Sequence, residues 1–460
     1  MKSRRIPCAG VALVMSLAGT AWAQSQPRGG AAPTPVQSDA LSATVGWSDN
    51  IRGENVDQES ETIAGIGLQT RLGREHRRLA YEISTDLQYL DYLGNTFDSE
   101  VTGTAELNAD AILVPEMLTF VVQDNFGQQQ NSPFAPSTPE TRQTVNIFGA
   151  GPDLRVDLGD ALVMLASGRY MIETYETTLA DNERTQAQLG FYHEFSADSS
   201  LGVLAQNTNV TYADDATGVD FERNEYLARY RLSARRTAMV LEAGKSEFSG
   251  DDGVERDIFL YRVNASRQLT ARTFIVVSAG RELSDSGSLF VSTNSDGVQP
   301  GVGNGGQSDA FTDLGLGGAQ LTGSGVVATT DSLSHRYARV TFRLNAPRTR
   351  AYLGAQMREE RYLSTSSQNR DVVTYTAGIE RNLTAALRAG LDISHNLRES
   401  EDSFIDLEDT MFRLSGFWQA TRRLEFSLAA EHAARSGTGG GFNDNRVWLR
   451  MIWSPRGAAN

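Results

Sequence analysis

Cysteine is nearly missing from this chain of 460 residues, where Cys8 is the only thiol. It follows Pro7 at the start of an apolar stretch, whereas a lipoprotein acylation site closes such a stretch. Beyond Cys8 no disulfide, thiolate metal centre or cysteine nucleophile can form. Long hydrophobic runs are missing too. Val11–Ala18 is too short to cross a bilayer, and no later segment approaches the roughly 20 apolar residues of a transmembrane helix. A basic surplus is also absent: the formal charge is −15, which argues against a nucleic-acid partner. The acidic excess gathers in Glu54–Glu61, Asp251–Glu255 and Glu399–Asp409, as solvated segments do.

Motifs for catalysis are equally scarce. His76, His193, His335, His395 and His432 occur singly, none with a second histidine four residues away, and no G-x-S-x-G elbow is present. Ser394 and His395 are neighbours on a strand pattern, which sends their side chains to opposite faces. Asp251-Asp252 and Asn294-Ser295-Asp296-Gly297 lack the ligand spacing of a calcium loop. The sequence therefore predicts no catalytic residue, no metal site, no cofactor and no enzyme. A barrel-wall hydrolase with a dyad assembled from separate strands is the different-class alternative.

What is present begins with a leader. Lys2, Arg4 and Arg5 precede the apolar Val11–Ala18, and Ala21-Trp22-Ala23 gives a small-x-small cleavage site, so residues 1–23 read as a secretory signal peptide. Residues 24–38, rich in Pro, Gly, Ala and Gln, read as a disordered lead-in. From 39 to 455 there is no domain linker. One pattern repeats instead: ten to fifteen residues of alternating character, then a break.

The alternation has period two, which marks strands whose faces meet different environments. Leu79, Tyr81, Ile83, Leu87 and Tyr89 alternate with Glu82, Ser84, Asp86 and Gln88. Ala187, Leu189, Phe191 and Phe195 oppose Gln186, Gln188 and Glu194. Leu387, Ala389, Leu391 and Ile393 oppose Arg388, Asp392, Ser394 and Asn396, and Val447, Leu449, Met451 and Trp453 alternate with Arg446 and Arg450. Short breaks, such as Arg74–Arg77, Ala234–Arg236 and Asn345–Arg348, take turns with longer polar ones, such as Ser48–Glu59, Gly127–Arg142, Ser284–Asp331, Glu399–Glu408 and Arg435–Asn443. Short turns at one rim and long loops at the other are the rhythm of a membrane barrel. The fold class is all-β: a single transmembrane antiparallel up-and-down barrel of about 20 strands (range 16–20), in the outer membrane of a Gram-negative bacterium and exported via the Sec pathway. Closure leaves no unpaired backbone in hydrocarbon. Tyr89, Tyr92, Phe195, Trp418 and Trp453, near strand ends, suit interfacial girdles.

If the apolar sets face lipid, the alternate residues face the lumen. Arg223, Glu225, Arg229 and Arg231 then point inward from one strand. Arg262, Arg339, Arg343, Arg388, Asp392, Glu425, Arg446 and Arg450 follow by the same phase. A mixed arginine and carboxylate lining fits a polar channel, and it equally fits cross-bracing of the wall by planar ion pairs. Ser284–Asp331, dense in Gly, Ser, Thr and Asn and free of Lys and Arg, reads as a flexible segment, with an inward-folded constriction as the other reading.

Leu41–Ile51 (LSATVGWSDNI) and Ala105–Gln130 (AELNADAILVPEMLTFVVQDNFGQQQ), followed by a strand–DLGD–strand pattern over Arg155–Tyr170, resemble the outer-membrane barrels associated with exopolysaccharide and PEP-CTERM secretion loci. The resemblance implies a role in exopolysaccharide export or biofilm-matrix assembly, with no catalytic residue to carry over. Asp49 and Asn50 match the opening motif, although such a pair at a strand end is also a turn-former. Expected partners are outer-membrane lipid, the barrel-assembly machinery and polysaccharide or polysaccharide-export proteins, with no nucleic acid. The rival reading is a porin-like channel for small polar solutes.

Overall fold

The computed structural model describes residues 36–177, 180–213, 218–295, 327, 329–364, 366–400, 404–438 and 440–455. The expected signal peptide and nearly all of the lead-in lie outside them. The first strand begins at Val36, inside the segment expected as lead-in, because Val36 to Asp39 already pair with Gly73 to Thr70.

Twenty strands account for most of the chain. They are β1 Val36–Ser48, β2 Glu61–His76, β3 Leu79–Tyr92, β4 Glu100–Val114, β5 Leu118–Gln130, β6 Arg142–Asp157 and β7 Leu162–Tyr175. Next come β8 Asn182–Ser196, β9 Ser199–Tyr212, β10 Phe221–Ala234, β11 Thr237–Gly250, β12 Glu255–Thr270 and β13 Thr273–Ser284. A helix, α1 (Ser286–Ser295), precedes β14 Leu333–Asn345, β15 Thr349–Tyr362, β16 Arg370–Asn382 and β17 Leu387–Ser400. The last three are β18 Ile405–Thr421, β19 Leu424–Gly437 and β20 Phe442–Trp453. Each strand pairs antiparallel with the next, and β1 pairs with β20 from Leu41↔Trp453 to Ser48↔Arg446. The sheet is a closed up-and-down barrel.

The two faces separate by chemistry. Leu41, Val45 and Trp47 lie exposed on one face of β1, while Ser42, Thr44 and Ser48 are buried on the other. Leu189, Phe191, Tyr226, Leu353, Leu414, Leu428 and Leu449 continue the exposed apolar surface. In water such a surface opposes folding; in hydrocarbon it is the face a spanning barrel presents. Exposed Phe195, Trp418 and Trp453 sit near the short turns, and Trp47 and Tyr89 near the loop rim, so aromatics mark both interfaces. Tyr92, expected among them, is buried on the inner face.

The ladders run farther than the sequence predicts. β18 begins at Ile405 and β19 reaches Gly437, so the breaks expected at Glu399–Glu408 and Arg435–Asn443 shrink to 401–404 and 438–441. Above the lipid both faces of a strand meet water or loops, and hydrogen bonding continues without alternation to announce it. Gly103 shows one local demand of the close ladder. Its φ is +122°, and a Cβ there would stand 1.9 Å from the Asp86 carbonyl oxygen.

Two loop insertions fold back over the lumen. Residues 131–141, between β5 and β6, reach β17 and β19: Arg398 Nη1 donates to the Pro133 carbonyl at 2.5 Å and Arg435 Nη1 to that of Phe134 at 2.8 Å. The segment after β13 was expected to be flexible, yet α1 lies inward. Its Phe290 packs with Val145, Ile147, Tyr175 and Ala180, and its Leu289 with Leu333 and Tyr362. An isolated bridge between Gln130 and Val327 joins the end of β5 to the segment that follows α1. The rest of that expected flexible segment, residues 296–326 and 328, lies outside the described residues.

Candidate functional site in the barrel lumen

All cations on the inner wall are arginines, since Lys2 and Lys245 are the only lysines in the chain. A guanidinium offers a planar fork that can hold two carboxylates at once, and the wall uses it so. On β10 to β13, Arg262 stands among three acids: it pairs with Glu282, donates to Glu242 at 3.0 Å and reaches Glu225 at 3.3 Å. Arg229 donates to Glu242 at 2.5 Å and to the Tyr192 hydroxyl at 3.2 Å. Arg223 donates to the Leu283 carbonyl at 2.9 Å and lies 3.7 Å from Glu225. The register explains the grouping, because Arg229↔Glu242 and Glu242↔Arg262 are direct cross-strand neighbours.

A second group forms on β15 to β19. Arg388 lies over the Phe417 ring at 4.3 Å, 3.6 Å from Glu380 and 3.9 Å from Glu425. Asp392 accepts from the Tyr352 hydroxyl at 2.9 Å. Near the barrel seam Arg446 donates to Asp444 at 2.5 Å, and Arg450, fully buried, donates to Ser42 at 3.1 Å. Arg231, Arg339 and Arg343 share the inner face by register, and Arg231 lies within electrostatic range of Arg229 and Glu242 of the first group. Inner side chains near the short turns meet water, as Arg71 and Glu82 do, whereas those under the insertions are buried.

A deeply enclosed cluster belongs to residues that the sequence pattern did not single out. Asp285 caps α1: it accepts from the Ser288 amide at 3.0 Å and the Ser288 hydroxyl at 2.8 Å. Arg184 of β8 grips the same carboxylate at 2.5 Å and Glu173 of β7 at 3.0 Å. Tyr175 lies 3.1 Å from Ser286, and Ser286 donates to the Thr329 carbonyl at 2.9 Å. Burial alone pushes the Asp285 carboxyl up. The charge and hydrogen bonds of Arg184, with Arg223 beyond, outweigh that and hold it well below the usual carboxylate range.

The histidines are scattered: His395 hydrogen-bonds to Thr410, His432 to Asn445, and His193 packs edge-on against Phe195. Among the described residues no group of three His, Cys, Asp or Glu side chains could hold a metal.

No family model matches the chain, and no curated protein does. Among solved structures, the siderophore receptor PirA of Pseudomonas aeruginosa aligns over 92% of this chain and 81% of its own, at 12% identity and a TM-score of 0.43. OccK2 of the same organism, in complex with glucuronate, aligns over 91% and 98%, at 10% identity and 0.38. The copper transporter OprC aligns over 92% and 81%, at 10% identity and 0.43. At these identities the likeness is one of barrel architecture. The chain is an outer-membrane β-barrel of a Gram-negative bacterium, one that needs lipid around it and the barrel-assembly machinery to insert it.

These comparisons correct the expected family. The structures that align are named as a siderophore receptor, as OccK2 with glucuronate and as a copper transporter, none as an exopolysaccharide or PEP-CTERM secretion barrel, and the expected role in exopolysaccharide export, secretion or biofilm assembly is withdrawn with the resemblance. The motif behind it has a structural task instead. Ser48 donates to Asp444 at 2.7 Å, and Asp49 accepts from the Asn445 amide and side chain, each at 2.7 Å. Asn50 donates to the carbonyls of Glu54 and Asn443 at 2.7 and 2.9 Å. The Trp47–Ile51 stretch fastens the first strand to the last.

Proposed function

We propose that this barrel is a porin-like channel that lets small polar solutes cross the outer membrane. The observation that carries the reading is the division of the wall: apolar side chains outside, and arginine–carboxylate groups inside, narrowed at the loop end by two inward insertions. The proposed lining comprises Arg223, Glu225, Arg229, Arg231, Arg262, Arg339, Arg343, Arg388, Asp392, Glu425, Arg446 and Arg450. Guanidiniums held in pairs with acids keep a fixed geometry, and the part-exposed ones, Arg262 and Arg388, leave N–H groups toward water, which suits brief contact with a hydrated solute. No observation favours polysaccharide or polysaccharide-export proteins as partners, and they form no part of the proposal.

Planar-bilayer recording of the purified barrel tests it. Stepwise, ohmic current is expected, and it grows when residues 132–138 are replaced by a short Gly-Ser linker. Absence of current in both forms overturns the channel reading.

A further inference from the structure

The outer face of β13 and β14 is apolar until it nears the loop rim, where two arginines break the pattern. On β13 the lipid-facing phase runs Ile275, Val277, Ala279 and then Arg281; on β14 it runs Phe342, Val340, Ala338 and then Arg336. Glu282 pairs with Arg262 and lies 3.9 Å from His335 on the inner face, which sends the adjacent Arg281 and Arg336 outward. Both are exposed, and register sets them directly opposite each other. Such partners have their Cβ atoms about 4.5–5.5 Å apart, and like charges so placed destabilise the sheet.

Neighbouring acids leave the opposition standing. Arg281 has no ion-pair or hydrogen-bond partner among the described residues, and its neighbour on the far side is Tyr261. Arg336 reaches Glu359 at 3.7 Å, but Glu359 is shared with Arg361 at 3.6 Å. The other outer-face cations of this rim are clasped by acids. Arg361 lies 2.8 Å from Asp371, and Lys245 stands between Glu247 and Asp257 at 2.6 and 2.8 Å. Farther round, the same rim carries exposed acids such as Asp91, Glu222 and Glu399. The opposed arginines are a local feature, open to an anion from the membrane side.

Depth and chemistry select that anion. The apolar phase ends one step below the pair, and Phe259, one step nearer the loops than Tyr261, is 63% exposed, as a ring at the membrane interface is. The long loops of such a barrel face the cell exterior, so the pair stands at the headgroups of the outer leaflet, whose lipids are phosphorylated glycolipids. Two guanidinium forks facing one gap offer N–H donors from both sides, which suits the several oxygens of one phosphate. The wall below leaves room for a chain. Val263, Ala279, Ala338 and Met357 are direct neighbours in that order, so two alanines lie low between larger side chains, Met357 being 60% exposed.

We infer that Arg281 and Arg336 form a docking site for a phosphorylated glycolipid of the outer leaflet, its phosphate held between the two guanidiniums and an acyl chain laid over Ala279 and Ala338. The site lies outside the wall, and binding there does not require that the lumen conduct.

Native mass spectrometry of the barrel in detergent, titrated with lipid A or with dephosphorylated lipid A, tests it. Lipid A is expected to bind saturably, and the dephosphorylated form roughly tenfold more weakly or worse. Arg281→Gln combined with Arg336→Gln keeps both positions polar and removes both charges; it should weaken lipid A by roughly tenfold or more. Lys245→Gln removes a cation that acids already clasp, and should change binding by less than about twofold. Heat-modifiable mobility on gels verifies that each variant is a folded barrel. Equal binding of the two lipids, no saturable binding of lipid A, full affinity in the folded double variant, or an equal loss in Lys245→Gln overturns the site. Displacement of lipid A by equimolar inorganic phosphate assigns the arginines to a free anion and overturns the lipid.

Discussion

Asp285 offers the sharpest test of how the lumen is filled. The helix α1 has ten residues, too few to hold together alone in water, so its position depends on what grips it. Leu289 and Phe290 bury apolar surface, about 1.5–3 kcal/mol each. The Asp285 carboxylate adds an N-cap, worth about 1 kcal/mol, and a buried pair with Arg184, whose rupture by removal of one partner costs about 3–5 kcal/mol. The two contributions share one group and overlap, so Asp285→Ala should cost about 4 kcal/mol. The closed ladder of twenty strands does not depend on this contact, and the loss falls on docking of α1. At 1.4 kcal/mol per tenfold, docking weakens by about 10³-fold. Asp285→Asn keeps a competent cap and removes the charge, so about 10²-fold is expected. Hydrogen exchange of the peptide covering 284–295, followed by mass spectrometry, reads both numbers directly. If Asp285→Ala leaves exchange in that peptide unchanged while the barrel stays folded, α1 is held by something other than this clip.

The same carboxylate sets a pH expectation. Its pKa is depressed in the folded protein, so its stabilising share is complete above the unfolded value of about 3.9 and is lost as pH falls through the lower folded value. Protection of 284–295 should therefore hold from pH 8 down to about pH 4 and fade only below it, and loss already at pH 6 would contradict the assignment. Arg262→Met leaves Glu225, Glu242 and Glu282 facing one another without their shared cation; a loss of about 3–5 kcal/mol should appear as a lower urea midpoint in micelles, restored in part by adding Glu282→Gln. On the outer wall, Leu414 is 61% exposed near the middle of β18. Leu414→Arg should cost about 2–4 kcal/mol in lipid, read by urea titration in vesicles.

How much of this was legible beforehand divides along the strands. Period-two alternation carries the fold because it reports a wall with oil on one side, and Leu387 to Ile393 against Arg388 to Asn396 displays it plainly. The same phase, carried one step past Asn396, reaches Arg398, and carried one step before Gln186 it reaches Arg184. Both were missed because reading stopped where the apolar partners ended, although β17 and β8 continue. Asp285 left no periodic signal, since it sits in a break, and only the pairing of β13 with β14 brings its helix back over β7 and β8.

The misread segments share one physical cause. Alternation is imposed by lipid, and it vanishes wherever a strand or loop leaves the hydrocarbon, which is where the lumen is shaped. Residues 131–141, Pro- and Ser-rich, and 285–295, Ser-rich, are stretches that composition alone would leave in solvent. Their place is decided by arginines far away in sequence: Arg398 and Arg435 hold the first through its carbonyls, and Arg184 holds the second through one carboxylate. A wall can therefore be read from its own strand, while what lies inside it is written in pairs of residues separated by 101 to 301 positions.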